Sequence, residues 1–381
     1  MNSPQILHEN SKRLKKFFAL INPAFGDPQD PNRFLLSVNG MKKAYLPTSM
    51  KSIPLIQKLI DARSLSKFLR SRFFNSNFHS VSQLFATFKN IRLKYDFLYW
   101  IGHKYPSQIP FKEFRSLLSE LQSIRWSGKP TRIIIRKNSQ QDISAILNLF
   151  VIWFKEYGKP NSNVMIVSHS ESDSRLNKEF FLNLKDNSHF PHFKFKKTGI
   201  SSSIFQPTTK SKFWFTSASH PERCRSLDFS FLFFNDLHKW NDSGKFSANK
   251  VIQATFPVIP NSNDSAIIME AGPLKRNRFL RQEFMFAQEN ISGFNYMSIP
   301  WHHNHYNMYK FDFPEDKILF YKNLMKFKNR KKLPHFPNAN PTYLYSLWTQ
   351  GLPLEAIHWY AAESSFFKSP TQFQNLYPPN H

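Results

Sequence analysis

The residues of this chain whose types and spacing fit a chemical role lie between Thr131 and Ile146. Three consecutive isoleucines, Ile133 to Ile135, predict a short buried strand, because β-branched side chains pack well on a sheet. A polar loop follows, and Ser144 then begins an apolar run of helical length. A strand, a tight polar loop and a helix N-terminus can together hold an anion, since unpaired backbone N–H groups point at it.

The loop departs from the common phosphate-loop sequence, which has two glycines and ends in Lys followed by Ser or Thr. Here the loop runs from Arg136 to Asp142 and has its lysine, Lys137, near the start. An ordinary strand-to-helix turn with basic side chains and no ligand is the alternative interpretation. The residues of the loop leave both interpretations open.

The composition indicates a polyanionic partner. The chain has 52 Lys and Arg against 26 Asp and Glu, a formal net charge of +26. Nucleic acid is the simplest partner for such a charge, and an anionic membrane surface is the alternative. The single cysteine, Cys224, excludes an internal disulfide and a cysteine-based zinc site.

Apolar runs that end in polar residues alternate with helical segments along the rest of the chain, which predicts an α/β fold. The predicted strands after the central one are residues 163–168, 201–205, 212–216, 229–234, 266–269 and 294–300. Ligands are expected beyond the carboxyl ends of parallel strands. Two of these runs end at Asn235-Asp236 and at Glu270, which places carboxylates at that edge.

The order Lys137, Gln140, Ser144 resembles the variant phosphate loop of terminase large subunits, the DNA-packaging ATPases of tailed phages. Later segments resemble the same family in consistent order and cover roughly residues 95 to 381. They are Glu270-Ala271-Gly272 through Asn277, Ile299-Pro300-Trp301, Leu352 to Tyr360 and Phe373 to Pro378. Each match is short, and their collinearity carries the resemblance.

The resemblance implies an α/β fold with a three-layer P-loop-type ATPase core, a mostly parallel central sheet and a small helical lid from the two chain ends. It divides the chain into a basic N-terminal arm or helical subdomain (1–95), a terminase-like ATPase core (96–310), and a basic linker with a C-terminal helical lid segment (311–381). The family continues into a nuclease domain that this sequence does not reach, so nuclease activity is not expected.

The family's site residues map onto matching positions of this sequence. Lys137, Gln140 and Arg136 are implied contacts to ATP, Ser144 and Asp236 are implied Mg²⁺ ligands, Asp236 and Glu270 are the implied catalytic acids, and Gly272 and Asn277 are implied to couple hydrolysis to DNA movement.

Two loop positions differ from the family pattern. Ser139 stands where the family has arginine, and Asp142 stands where it has glycine. A carboxylate beside the γ-phosphate costs on the order of several kcal/mol at an effective dielectric near 20, so Asp142 predicts weak ATP binding or none. Two hypotheses follow: a working packaging motor, or a catalytically inactive terminase remnant that binds DNA or protein partners.

The resemblance also implies partners. Double-stranded DNA is the expected ligand of the basic surface, with a portal protein, a small terminase subunit and a homo-oligomeric ring as further expectations. No membrane association is expected, and the cytoplasm of a bacterial host is the expected location. The candidate DNA-binding residues form one basic segment: Lys326, Lys328, Arg330, Lys331 and Lys332.

Overall fold

A computed structural model describes residues 1–17, 30–105, 114–137, 143–184, 195–200, 202–220, 229–241, 244, 247–272, 278–299, 301–303, 307–367, 373–374 and 377. These residues form a mixed α/β fold around an eight-stranded, mostly parallel sheet. The strands are β1 (Arg33–Leu36), β2 (Ala44–Pro47), β3 (Thr131–Arg136), β4 (Asn163–Ser168), β5 (Lys196–Lys197), β6 (Ser203–Gln206), β7 (Ser211–Ser217), β8 (Phe229–Phe234), β9 (Ala266–Ala271) and β10 (Asn295–Ser298).

The α-helices within the same ranges vary from one turn to four. They are α1 (Ser3–Phe17), α2 (Pro54–Ala62), α3 (Leu65–Leu69), α4 (Arg72–Asn77), α5 (Val81–Tyr95), α6 (Phe97–Lys104), α7 (Arg115–Arg125), α8 (Ser144–Glu156), α9 (Glu171–Asn183), α10 (Ala248–Thr255), α11 (Arg278–Gln288), α12 (Pro314–Phe327), α13 (Pro341–Thr349) and α14 (Leu354–Phe366). None of these helices combines the length and apolarity needed to cross a bilayer.

The large sheet has the strand order β10-β3-β9-β8-β4-β7-β6-β5. The strands from β10 to β7 are parallel, and β6 and β5 continue the sheet in antiparallel pairs. The isoleucine run is β3, which confirms the predicted buried strand, and it lies between β10 and β9. The carboxyl ends of β3, β9 and β8 therefore lie side by side.

Helices cover both faces of the sheet, so the core has three layers. Ile133 and Ile135 pack on the face covered by α6 to α9. Ile134 packs on the opposite face, with α10 and α11. Strands β8 and β9 are buried at every residue, as expected for parallel strands covered on both sides.

Residues 33–95 form a separate hydrophobic cluster, in which β1 and β2 make an antiparallel hairpin against helices α2 to α5. The sequence predicts only an arm or helices here, and the hairpin is a correction. The helical segment between Pro54 and Leu69 is not continuous. It is divided into α2 and α3 because Arg63 takes a left-handed conformation (φ 57°) that ends α2.

Helix α1 packs on the C-terminal helices, although the division at residue 95 groups it with the N-terminal segment. Ile6 is completely buried in their hydrophobic cluster. The Asn10 amide donates to Glu355 Oε2 at 2.8 Å and accepts from the Leu354 N–H at 2.7 Å. The Arg13 guanidinium lies 3.6 Å from the centre of the Trp348 ring. The two ends of the chain therefore form one helical unit with α12 to α14.

A buried ion cluster joins the N-terminal hairpin to the core. Asp96, the N-cap of α6, is fully buried, and Arg33 Nη2 donates to its Oδ1 at 2.8 Å. Arg92 Nη2 donates to Asp96 Oδ2 at 3.0 Å. Burial alone would raise the pKa of Asp96, but the two guanidiniums outweigh it and hold this pKa below its usual value. The cluster connects β1, α5 and α6.

Candidate functional site

Three charged side chains meet at the carboxyl edge of the sheet. Lys137 directly follows β3, Glu270 is near the end of β9, and Asp236 lies two residues beyond β8. The register places Glu270 beside Ile135, and the Lys137 N–H donates to the Ala271 carbonyl at 2.9 Å, which extends the ladder past β3. The neighbouring strand ends thus bring together the residues that the sequence selects.

Lys137 is held between the two carboxylates. Its Nζ lies 2.9 Å from Asp236 Oδ1 and 2.6 Å from Glu270 Oε1. Lys137 is 8% exposed and Glu270 is fully buried. At these distances and this burial, the ammonium and the carboxylates depend on one another for charge compensation.

The pKa shifts follow from this geometry. Burial disfavours the charged form of Lys137, but Glu270 and Asp236 outweigh it, so the pKa of the ammonium lies above its usual value. Burial raises the pKa of Glu270, with Asp236 acting in the same direction and Lys137 against it. Burial also opposes ionisation of Asp236, but Lys137 and Lys239 hold its pKa below the usual value. Glu270 is the carboxylate that takes up a proton more readily.

Asp236 is fixed by its backbone as well as by its side chain. It has a left-handed conformation with φ 52°, which aspartate tolerates better than most residues. Its N–H donates to Glu270 Oε2 at 3.1 Å, and Lys239 Nζ donates to its Oδ2 at 2.8 Å. The turn after β8 therefore directs the Asp236 carboxylate toward Lys137.

Ser144 lies at the N-terminus of α8 and faces the same edge. Its hydroxyl donates to Asn235 Oδ1 at 3.3 Å. Asn235 is itself fixed, because its N–H donates to the Val167 carbonyl at 2.9 Å and its carbonyl accepts from Trp240 Nε1 at 3.1 Å. The start of α8 is thereby connected to the residue next to Asp236.

His238 was not selected by sequence reasoning, yet it joins the loops after β8 and β9. The Gly272 N–H donates to His238 Nδ1 at 2.8 Å, and burial lowers the pKa of the imidazole to about 4. The ring is therefore neutral at physiological pH and can accept this bond. A Cβ on Gly272 would lie 3.1 Å from three ring atoms, so this position favours glycine. In the sequence, the feature that could have indicated His238 is its position two residues after Asp236.

The remaining predicted residues are placed as follows. Arg136 is the last residue of β3 and is half-buried, with its carbonyl accepting from the Ile299 N–H at 2.9 Å. Gln140, Asp142 and Asn277 lie outside the described residues. The basic segment covers the end of α12 and the residues that follow it. Lys326, Arg330, Lys331 and Lys332 are exposed, and Lys328 Nζ lies 4.7 Å from the centre of the Tyr345 ring.

The edge offers a ligand the buried ammonium of Lys137 and several oxygen atoms. Mg²⁺ is bound through one or two carboxylates together with phosphate oxygens and water. The Asp236 carboxylate and the Ser144 hydroxyl supply oxygens of the required type, and Lys137 supplies the charge for a phosphate. In the described ranges no three His, Cys, Asp or Glu side chains cluster as a metal site of their own. These residues fit a phosphate-bound Mg²⁺ better than a free-standing metal centre.

Neither the protein-family models nor the curated proteins contain a match to this chain.

Proposed function

We propose that this chain is a divergent relative of the terminase large subunit whose sheet edge binds the phosphates of ATP together with Mg²⁺. The observation that carries the proposal is the convergence of Lys137, Asp236 and Glu270 from three adjacent parallel strands. A P-loop-type core needs a cation for the phosphates, an oxygen ligand for Mg²⁺ and a carboxylate that orients water. The three side chains and Ser144 supply these groups.

The roles follow from the positions of the side chains. Lys137 neutralises phosphate charge, with Arg136 and Gln140 as further phosphate contacts. Asp236 and Ser144 hold Mg²⁺, which when bound offsets the charge that develops on the phosphates. Asp236 also orients the attacking water, and Glu270 keeps Lys137 in place. Gly272 and Asn277 belong to the segment after β9 that couples hydrolysis to movement of double-stranded DNA.

The inactive remnant is the second candidate, and Asn235 favours it. This amide lies against the Ser144 hydroxyl, where an acid would bring a second negative charge to Mg²⁺. Lys137 is also already compensated by two carboxylates, so a phosphate must displace at least one of them. In this case the protein keeps the fold and binds DNA or protein partners through its basic surface.

A calorimetric titration with ATP, with and without Mg²⁺, tests the proposal. We expect binding only with Mg²⁺ present, because Mg²⁺ held by Asp236 and Ser144 would supply positive charge for the phosphates in addition to Lys137, which is already paired with two carboxylates. Ser144→Ala should weaken the Mg²⁺-dependent binding about tenfold or more, the effect of one charge-assisted contact. Ser66→Ala, at an exposed serine on α3, is the matched control. Absence of binding at millimolar ATP would reject the nucleotide site and leave the remnant.

Asp142→Gly is expected to strengthen ATP binding. The change removes a negative side chain from the loop and restores the glycine found in the family. Like charges a few ångströms apart cost on the order of several kcal/mol, so the gain should be at least about tenfold. Asp142→Asn separates charge from backbone freedom, since it removes the charge alone. Unchanged affinity in both variants would contradict the charge argument.

DNA binding is expected to depend steeply on salt. The affinity should fall by orders of magnitude between about 50 and 200 mM salt, as for proteins that contact many phosphates. Replacing Arg330, Lys331 and Lys332 by glutamine should lower the salt slope by about one unit per lost contact. The control is a variant in which Lys42, Lys43 and Lys58 are replaced by glutamine, because it loses the same charge from residues 33–95. An equal loss of DNA affinity in both variants would show that the basic segment is not the contact site.

A further inference from the structure

A cavity of about 290 Å³ lies in the C-terminal helical unit, between the chain before α12, the first turns of α12 and the loop around residue 335. Aromatic side chains form one part of its wall. Phe311, Phe320, Phe336 and His358 all contribute rings. The volume is slightly below the range of sites for drug-sized molecules, so it suits a group the size of one amino-acid side chain.

Two pairs of the phenylalanine rings at the cavity are inclined to one another. Phe320 and Phe336 are nearly perpendicular, with centroids 5.9 Å apart. Phe311 is tilted by 50° to Phe320 at 5.7 Å. Such an arrangement offers ring faces in several directions, and each face carries the negative side of the aromatic quadrupole.

His358 contributes an unsatisfied polar atom to the same cluster. Its ring stacks on Phe311 with centroids 4.5 Å apart. Its Nδ1 is buried and has no hydrogen-bond partner among the residues described. Burial lowers the pKa of the imidazole, so the ring is neutral and one of its nitrogens is an acceptor. The wall of the cavity therefore includes a neutral imidazole, which adds no positive charge that would repel a cation.

The rim of the cavity is acidic in a strongly basic protein. Asp312 and Asp316 line it, and both are exposed. Lys310 is the cation on the rim, while nearby Lys317 points to the buried Glu355 with its Nζ 2.6 Å from Oε1. In a chain with 52 basic and 26 acidic residues, two carboxylates at one aromatic cavity form a local reversal of charge.

We propose that this cavity binds an organic cation, an ammonium or guanidinium group on an aliphatic stem. Aromatic walls attract a cation through their ring faces, carboxylates at the rim add a second attraction, and both disfavour anions. The same chemistry is found in a free amine and in a lysine or arginine side chain of a partner. Lys317, whose Nζ lies 5.8 Å from the centre of the Phe311 ring, shows that the cluster accommodates an ammonium nearby. The site is independent of Lys137 and its partners.

The test is a calorimetric or saturation-transfer titration at low ionic strength with three probes. They are blocked arginine (N-acetyl-arginine methylamide), agmatine, and blocked norleucine as the neutral probe of similar stem. We expect both cations to bind. Blocked norleucine should bind at least about 5-fold more weakly, because it lacks the attraction of a cation to the ring faces and to the carboxylates. Tighter binding of agmatine assigns a free amine, and tighter binding of blocked arginine assigns a partner side chain.

Two variants locate the binding. Phe336→Leu keeps an apolar wall but removes a ring face, and Asp316→Asn removes one rim charge without touching the core. Each should weaken binding of the cations about 2- to 5-fold. Asp61→Asn, an exposed aspartate on α2, is the charge-matched control and should leave affinity unchanged. Equal binding of blocked norleucine, no binding of either cation, or equal effects of Asp316→Asn and Asp61→Asn would each overturn the proposal.

Discussion

Replacing Asp96 by alanine is expected to lower the free energy of unfolding by about 3–5 kcal/mol, the cost of breaking a buried ion pair by removing one partner. Arg33 and Arg92 both donate to this carboxylate, and all three side chains are almost completely buried. Asp30 Oδ2, 3.5 Å from Arg33 Nε, remains as a weaker counter-charge. Chemical denaturation followed by circular dichroism measures the change.

Asp96→Asn separates the two roles of the residue. Asp96 Oδ1 also accepts from the Tyr99 N–H at 3.2 Å and so caps α6, and asparagine is an equally good N-cap. The Asn variant should therefore lose nearly as much stability as the Ala variant if the charge dominates. Asp61→Asn controls for charge removal at an exposed site. A loss below about 1 kcal/mol in Asp96→Asn would leave only a capping role.

The pH dependence gives an independent check on Asp96. Its pKa is lowered in the folded protein, so its stabilisation is present above the unfolded-state value near 3.8 and is lost as the pH falls through the lower folded value. The difference in unfolding free energy between wild type and Asp96→Asn should be constant near neutrality and should shrink only in strong acid. A difference that shrinks between pH 7 and 5 would point to another group.

The second large effect is expected at the candidate site. Lys137→Met leaves the fully buried Glu270 carboxylate without its 2.6 Å partner. The unfolding free energy should fall by about 3–5 kcal/mol. Glu270→Gln in the same chain removes the uncompensated charge, so the double variant should recover more than half of the loss. Asp236 keeps its contact with Lys239 in both variants. Urea unfolding of the four proteins in a double-mutant cycle measures the coupling.

The direction in which the stability of Lys137→Met changes with pH depends on Glu270, the acid that has lost its partner. Without Lys137 the pKa of Glu270 lies even further above its ordinary value of 4.5. A raised acid pKa means that stability is greatest below the unfolded-state value and decreases as the pH rises through the folded value. The free energy of unfolding that Lys137→Met loses relative to wild type should therefore be smallest near pH 4.5 and largest at neutral pH. A pH-independent loss, or no rescue by Glu270→Gln, would show that Lys137 contributes only packing.

The parallel strands of the core and the charged residues at their ends follow from the sequence alone, because both depend on local pattern, whereas the β1–β2 hairpin does not. Runs such as Phe229–Phe234 are apolar at every position, as strands covered on both faces must be, and β8 has these bounds. The carboxyl ends of parallel strands share one edge, so Lys137, Asp236 and Glu270 were expected to meet. The structure confirms their proximity, whereas their roles in ATP hydrolysis stay a proposal.

Only the tertiary structure decided how these residues are held. The pairing of Lys137 with both carboxylates, the bond between Gly272 and His238, and the packing of α1 on α14 join residues that are tens to hundreds of positions apart. No local periodicity encodes such contacts, because they depend on the order and register of the strands and on which helix covers which face. The sequence by itself determined the parallel core strands and their charged ends, and the long-range packing determined the electrostatic state of the site.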